Sequence, residues 1–295
     1  MFRLIIFLTV CFFSVFADAH LIAEKKDGAL YVKSATYQET SDLFKQYNFD
    51  DFSDINKVFP RIYFLHLPKD WAEIAESDDK HRVFIKILLP LVLHENEIIL
   101  QERQMVENIA VKLKAKQSLT QTEKAELEKL AEKYDVFTRL KDEARLKILV
   151  KLLLPKIDAV PPSLLIASAG IYSNWGTSRL ALQANSLYLQ EVWYGEQGLK
   201  PLDDPNADYR YKIYGSLAEG LADHVLKMNS HINYTHFRNS RANARKMDRP
   251  LYGPQVAATM IVDSNLQNIA GMIDYTFSYY KLQDADYKAK LEDIK

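Results

Sequence analysis

The sequence predicts an α+β protein, mainly α, in which helices flank one small β-hairpin. Two observations carry this. From Lys80 onward apolar residues recur at helical spacing, with Val83, Phe84, Ile87, Leu88, Leu91 and Val92 the clearest run. Between Ser186 and Tyr214 the chain turns rich in Tyr, Gly, Pro and Asp, which suits a loop and a short hairpin. Helical spacing then resumes at Ser216, with Leu217, Leu221, Val225 and Met228 on one face.

The chain starts Met-Phe-Arg, continues LIIFLTVCFFSVF and reaches Ala17-Asp18-Ala19. A basic start, an apolar run and small residues after it predict a signal peptide over 1–19, cleaved after Ala17 or Ala19. The apolar run is shorter than the ~20 residues of a comfortable membrane span, so no stable span is expected after cleavage. The mature protein is expected in the periplasm or outside the cell. Cys11, the single cysteine, lies in this leader. It follows Val10, where a lipoprotein signal would want a small residue. Without it the mature chain forms no internal disulfide, and its core must come from packing.

A formal net charge of −1 gives no global basic field for nucleic acid. No Walker, Rossmann or zinc-protease motif occurs, and no cofactor is expected. Residues 20–79 show short alternations, Ala29-Leu30-Tyr31-Val32 and Ile62-Tyr63-Phe64-Leu65, without a firm period. The first could be a strand or an extended lead-in, and irregular structure packed on the later helices is expected there.

Residues 80–155 read as a helical extension. Pro90 falls inside its first helical run and should kink or break it. Thr120 and Glu123 form a capping box before the stripe Leu127, Leu130, Ala131 and Tyr134. A third helix over Lys141 to Leu154 stops at Pro155. The Lys- and Glu-rich stretch 112–133 is most simply a solvated face with i,i+4 pairs; contact with a wall polymer is the sharper reading.

Residues 156–285 read as a second unit. Pro161 and Pro162 suit the first turn of a helix, which Leu164, Leu165, Ala167, Ser168 and Ile171 continue. Asn174-Trp175-Gly176 should end it, Gly176 supplying a backbone conformation that other residues resist. Asn233 to Arg245 and Pro254 to Tyr280 complete a helical ending.

The stretch VPPSLLIASAGIYSNWGTSRLA, Val160 to Ala181, is similar to VPPSLxLAQAAxESGWGTSRFA. That is the first-helix pattern of the glucosaminidase family of peptidoglycan hydrolases, in its Bax-like branch. The resemblance runs over about 80 to 280 and implies a lysozyme-like domain with an N-terminal helical extension. LLPLVLHENEIILQER resembles the helix before the catalytic domain. Trp175, Gly176, Arg179, Asn185 and Leu187 match the motif and its continuation, with Tyr188 for the family Phe. His231, Phe237, Arg238, Arg241 and Arg245 resemble a later H-x-x-[YF]-R…R-A…R segment.

The resemblance departs at the chemistry. Glycoside hydrolysis needs a carboxylic acid for the leaving oxygen and usually a second carboxylate. Tyr172 aligns with the family acid at the end of the helix, and a phenol titrating near ~10 is a poor substitute. Arg210 aligns with the hairpin carboxylate, and Asp263 with a late-helix tyrosine. Three departures imply a cleft that no longer hydrolyses by the family route.

Other groups compete for the role. Glu191 and Glu196 lie in LQEVWYGEQG. Glu191 is the candidate for a relocated acid, against the plainer reading of both as solvent-facing loop carboxylates. His224, His231 and His236 match no standard zinc spacing, and no metal is expected. Tyr188, Trp193, Tyr194, Tyr209, Tyr211 and Tyr214 crowd one region. Such residues are often cross-strand packing, and in a sugar cleft they are stacking platforms. Trp193, Tyr194, Tyr188, Tyr211 and Arg179 are the expected substrate-binding set.

The leading expectation is an exported, catalytically degenerate glucosaminidase-like protein that binds peptidoglycan glycan strands or a cell-wall protein. One alternative is an active endo-β-N-acetylglucosaminidase working through Glu191. Another is a periplasmic scaffold that keeps only the fold and binds a protein.

Overall fold

The computed structural model describes residues 21–49, 58–193, 195, 197–204, 206–249, 251–257 and 267–294. The expected signal peptide, 1–19, lies outside them. The protein is mainly helical with small sheets, and one apolar cluster runs from Ala29 to Ile294.

Residues 20–79 correct the irregular expectation. Strands β1 (Ile22–Lys26), β2 (Ala29–Ser34) and β4 (Ile62–Phe64) form one sheet in the order β1-β2-β4. Strand β2 pairs antiparallel with β1 and parallel with β4, in register Leu30↔Ile62 and Val32↔Phe64. Helix α1 (Tyr37–Gln46) starts on a Thr36–Glu39 capping box. Strand β3 (Val58–Pro60) pairs parallel with β8 (Lys290–Glu292), so residues 290–292 lie against the segment before α2. The pairing is non-local and β4 is buried throughout, so neither strand leaves a clean two-residue alternation to read.

Helix α2 (Asp78–Lys114) runs unbroken through Pro90, against the expectation of a break there. An interior proline costs about 3 kcal/mol. Ile85, Ile87, Leu88, Leu89, Leu91 and Val92 around it are all buried. At ~1.5–3 kcal/mol for each buried aliphatic, two or three of them offset that cost. Helices α3 (Gln121–Lys133) and α4 (Asp142–Leu153) pack on α2, with the Thr120–Glu123 capping box formed as expected.

Helix α5 (Pro162–Tyr172) is the centre of the second unit, followed by α6 (Arg179–Ala184). Strands β5 (Glu191–Trp193), β6 (Gly198–Leu199) and β7 (Tyr209–Lys212) form a three-stranded sheet in the order β5-β7-β6, one strand more than the predicted hairpin. Helices α7 (Leu217–Ser230), α8 (Thr235–Lys246), α9 (Gly253–Ala257), α10 (Gln267–Tyr280) and α11 (Ala285–Lys288) follow. Among the described residues no helix is long and apolar enough to cross a membrane.

Candidate functional site

Helix α5 is apolar on every side, the pattern of a helix that must be enclosed. Pro162 through Gly170 are all buried. Its first turn has no side-chain cap of its own, so the orphan amides need another acceptor. Asp286 supplies it, accepting from Ser163 N at 2.9 Å, Ser163 Oγ at 2.7 Å and Gly253 N at 2.8 Å. Burial pushes that carboxyl up to about 6, against the pull of these hydrogen bonds.

The loop before α5 is fixed by arginines that the sequence marked only as framework. Arg241 is fully buried and donates to Pro155 O, Lys156 O, Asp158 O, Ala159 O and Asn229 Oδ1. Arg245 forms a two-pronged pair with the Asp158 carboxylate. Arg238 donates to Met228 O and His231 O, closing the end of α7. Saturating carbonyls in this way suits the planar five-donor guanidinium.

At the far end of α5 the chain takes three left-handed residues in succession: Asn174, Trp175 and Gly176, with φ of 50°, 53° and 81°. Such a conformation costs a non-glycine residue roughly 1–2 kcal/mol, so this turn needs support. Trp175 N donates to Gly170 O at 2.6 Å, Gly176 N to Ser173 Oγ at 2.9 Å, and Asn174 Nδ2 to Thr177 Oγ1 at 2.7 Å. Trp71 Nε1 donates to Trp175 O at 3.0 Å. A Cβ on Gly176 would lie 2.7 Å from Leu67 and 2.9 Å from Trp71, so only glycine fits. The motif Ser173-Asn174-Trp175-Gly176-Thr177-Ser178 is therefore a built corner, and strain of this kind collects at functional sites.

Tyr172 stands half-buried on the last turn before this corner. Burial pushes its phenol up. Tyr234, in the 3-10 turn Ile232–Tyr234, is pushed up to about 12, by burial first and then by Tyr172 beside it. The pair keep their protons at neutral pH. They can donate and accept hydrogen bonds, but neither matches the poised acid that protonates a leaving oxygen.

The sheet separates the remaining candidates. Cross-strand partners share a face, and β5 pairs Glu191↔Tyr211, Val192↔Arg210 and Trp193↔Tyr209. Glu191, Trp193, Tyr209 and Tyr211 thus form one face, and Arg210 belongs to the other. The ring centroids of Trp193 and Tyr209 are 5.5 Å apart, and those of Tyr209 and Tyr211 5.6 Å. The Tyr211 phenol is pushed up to about 12, by burial and the Tyr209 hydrogen bond before the charge of Glu191. Glu191 is exposed. The Arg210 guanidinium reaches Gly198 O at 3.4 Å, and that of Arg179 reaches Lys200 O at 2.6 Å, so both brace the strand that holds β6.

Tyr188, expected in the substrate-binding set, offers no open ring face to solvent. It is buried, its ring rests on His224, and its hydroxyl donates to Leu165 O at 3.2 Å. Tyr214 is likewise buried and donates to Asp223 Oδ2 at 2.6 Å, tying the sheet to α7. Tyr194, Glu196 and Asp263 lie outside the described residues. Tyr234 and His81, which stacks on Trp175 with centroids 3.9 Å apart, escaped the sequence reading because both meet the corner only through tertiary packing. Among the described residues no group of three His, Cys, Asp or Glu is placed to hold a metal ion.

The chain is 28% identical over 193 residues to Protein bax of Escherichia coli (strain K12). The match covers 65% of this chain and 65% of that relative, less than two thirds of its length. No family model matches the chain. Among solved structures, the catalytic domain of the autolysin Auto from Listeria monocytogenes is similar over 73% of this chain and 92% of that one, at 16% identity and a TM-score of 0.38. A likeness that loose carries no weight for the fold or the chemistry.

Proposed function

We propose that the chain is an exported glucosaminidase-like protein that binds peptidoglycan glycan strands without cleaving them. The observation that carries this is Tyr172 at the end of α5, where the family resemblance places the acid. Its raised phenol cannot take over that role near neutral pH. Arg210, at the position of the second carboxylate, belongs to the sheet face opposite the aromatic residues. Trp193, Tyr209 and Tyr211 offer rings on which pyranose faces stack.

General acid catalysis is worth roughly 10²–10⁴-fold in rate. A zymogram on purified sacculi should therefore show no lytic band, while the protein is retained on the same sacculi. Retention without lysis supports the reading; a lytic band or no retention overturns it.

A second reading rests on Glu191, which shares the aromatic face with Trp193 and Tyr211. If it serves as a relocated acid, the protein is an active endo-β-N-acetylglucosaminidase, and Glu191→Gln removes a lytic band that wild type shows. Export is tested separately. Mass spectrometry of the protein from its own cells should show a chain starting at Asp18 or His20.

A further inference from the structure

We propose that a cavity on the other side of the α5 corner, between the start of α2 and the end of α10, binds a pyranose ring of a glycan. The inference rests on the glycan reading above and adds a second contact to it. At about 630 Å³ the cavity falls within the ~300–1,000 Å³ typical of small-ligand sites.

Its walls are of two kinds. Tyr275 and Tyr279, one turn apart on α10, stack with centroids 5.4 Å apart and planes 21° from parallel. They are 65% and 44% exposed, so this helix carries a pair of exposed large aromatics. The rest of the lining carries polar groups, Asp78, His81 and the exposed Asn174 of the left-handed corner, beside Ile171 and Trp175.

These polar groups are held in place. Asp78 accepts from the Tyr279 hydroxyl, and Tyr280 Oη lies 3.3 Å from its other oxygen. The Tyr279 hydrogen bond, more than any other influence, holds the Asp78 carboxyl below the usual range. His81 is sandwiched by its partners, with Nδ1 2.6 Å from Tyr280 Oη, Nε2 on Glu76 and its ring face on Trp175. A carboxylate has about four lone-pair sites. The two phenols occupy part of that capacity, and Asp78 keeps acceptor sites for a ligand.

This combination selects the occupant. A fixed carboxylate disfavours an anion, and a purely apolar ligand would leave its remaining acceptor sites unmet. A neutral polyhydroxylated ring satisfies both kinds of wall: its C–H face lies on tyrosine and its hydroxyls donate to Asp78. The aromatic wall is exposed at its rim, so a chain of sugars can continue past it.

The test is binding of N-acetylglucosamine oligomers and of peptide-free glycan strands, measured by calorimetry on the full mature chain. The variants are Tyr275→Ala, Asp78→Asn and Trp193→Ala, with melting temperatures to confirm folding. Tyr275 is mostly exposed, so its loss should leave the melting temperature unchanged. Tyr275→Ala and Asp78→Asn should each weaken binding about three- to tenfold, in line with a single stacking contact or hydrogen bond. If Trp193→Ala weakens binding and Tyr275→Ala does not, the cavity proposal is overturned and the glycan reading stands. If Tyr275→Ala weakens it and Trp193→Ala does not, the cavity stands and the sheet face loses its role. Absence of binding by wild type overturns both.

Discussion

The imidazole of His224 lies flat against the ring of Tyr188, with centroids 4.1 Å apart and planes 3° from parallel. Both residues are buried. Tyr188 is therefore a wall between α5 and α7, and its hydroxyl ends on the α5 backbone. Tyr188→Phe should cost about 1 kcal/mol, the value of one buried neutral hydrogen bond, and leave retention on sacculi unchanged. Urea denaturation and a sacculus pull-down measure the two effects. Lost retention in a stably folded variant would return Tyr188 to the ligand.

Burial pushes His224 down from 6.5 to about 3. Between those pH values the unfolded chain binds a proton that the folded one does not. Stability is thus lost as the pH falls from 6.5 towards 3, and this contribution is constant outside that window. His224→Phe keeps a ring on Tyr188 and removes the titration. Its melting temperature should fall less than that of wild type over this interval, as a pH series of thermal scans would show.

Asp286 works in the opposite sense. Its carboxyl titrates at about 6 in the folded protein against 3.8 otherwise, so its contribution is fully present below pH 3.8 and lost as the pH rises through about 6. Asp286→Asn should remove that part of the pH profile. Gly253→Ala probes the same joint by sterics, because the added Cβ would lie 1.9 Å from Ser163 Oγ. Overpacking of that kind costs ~1–3 kcal/mol. A Gly253→Ala protein as stable as wild type would show that α9 is not seated on the start of α5.

Trp175 and Trp193 should respond differently to removal. Trp175 packs against His81, Phe84 and Tyr280 within the corner, and Trp175→Ala should cost ~3–5 kcal/mol. Trp193 is 48% exposed on the sheet, so Trp193→Ala should leave thermal stability nearly unchanged while weakening sacculus retention several-fold. If both variants unfold alike, or neither changes retention, the glycan reading gives way to that of a protein scaffold.

The sequence by itself marked the main helices from Lys80 onward and the corner. Periodic apolar spacing, the Thr120–Glu123 box and the Pro-Pro start are local signals, and each lies where the chain implies. Gly176 was legible because a left-handed residue with no room for a Cβ leaves a glycine in the sequence. Tertiary structure alone decided the rest. The pairing of β2 with β4 and of β3 with β8 joins distant segments and leaves no periodic trace. Helix α2 continues through Pro90 because its neighbours bury it, which local propensity cannot foresee. Which aromatics face solvent was equally hidden: Tyr188 and Trp193 look alike as letters in one cluster. One stacks on a buried histidine and the other stands on an exposed strand, a difference set by what each element packs against.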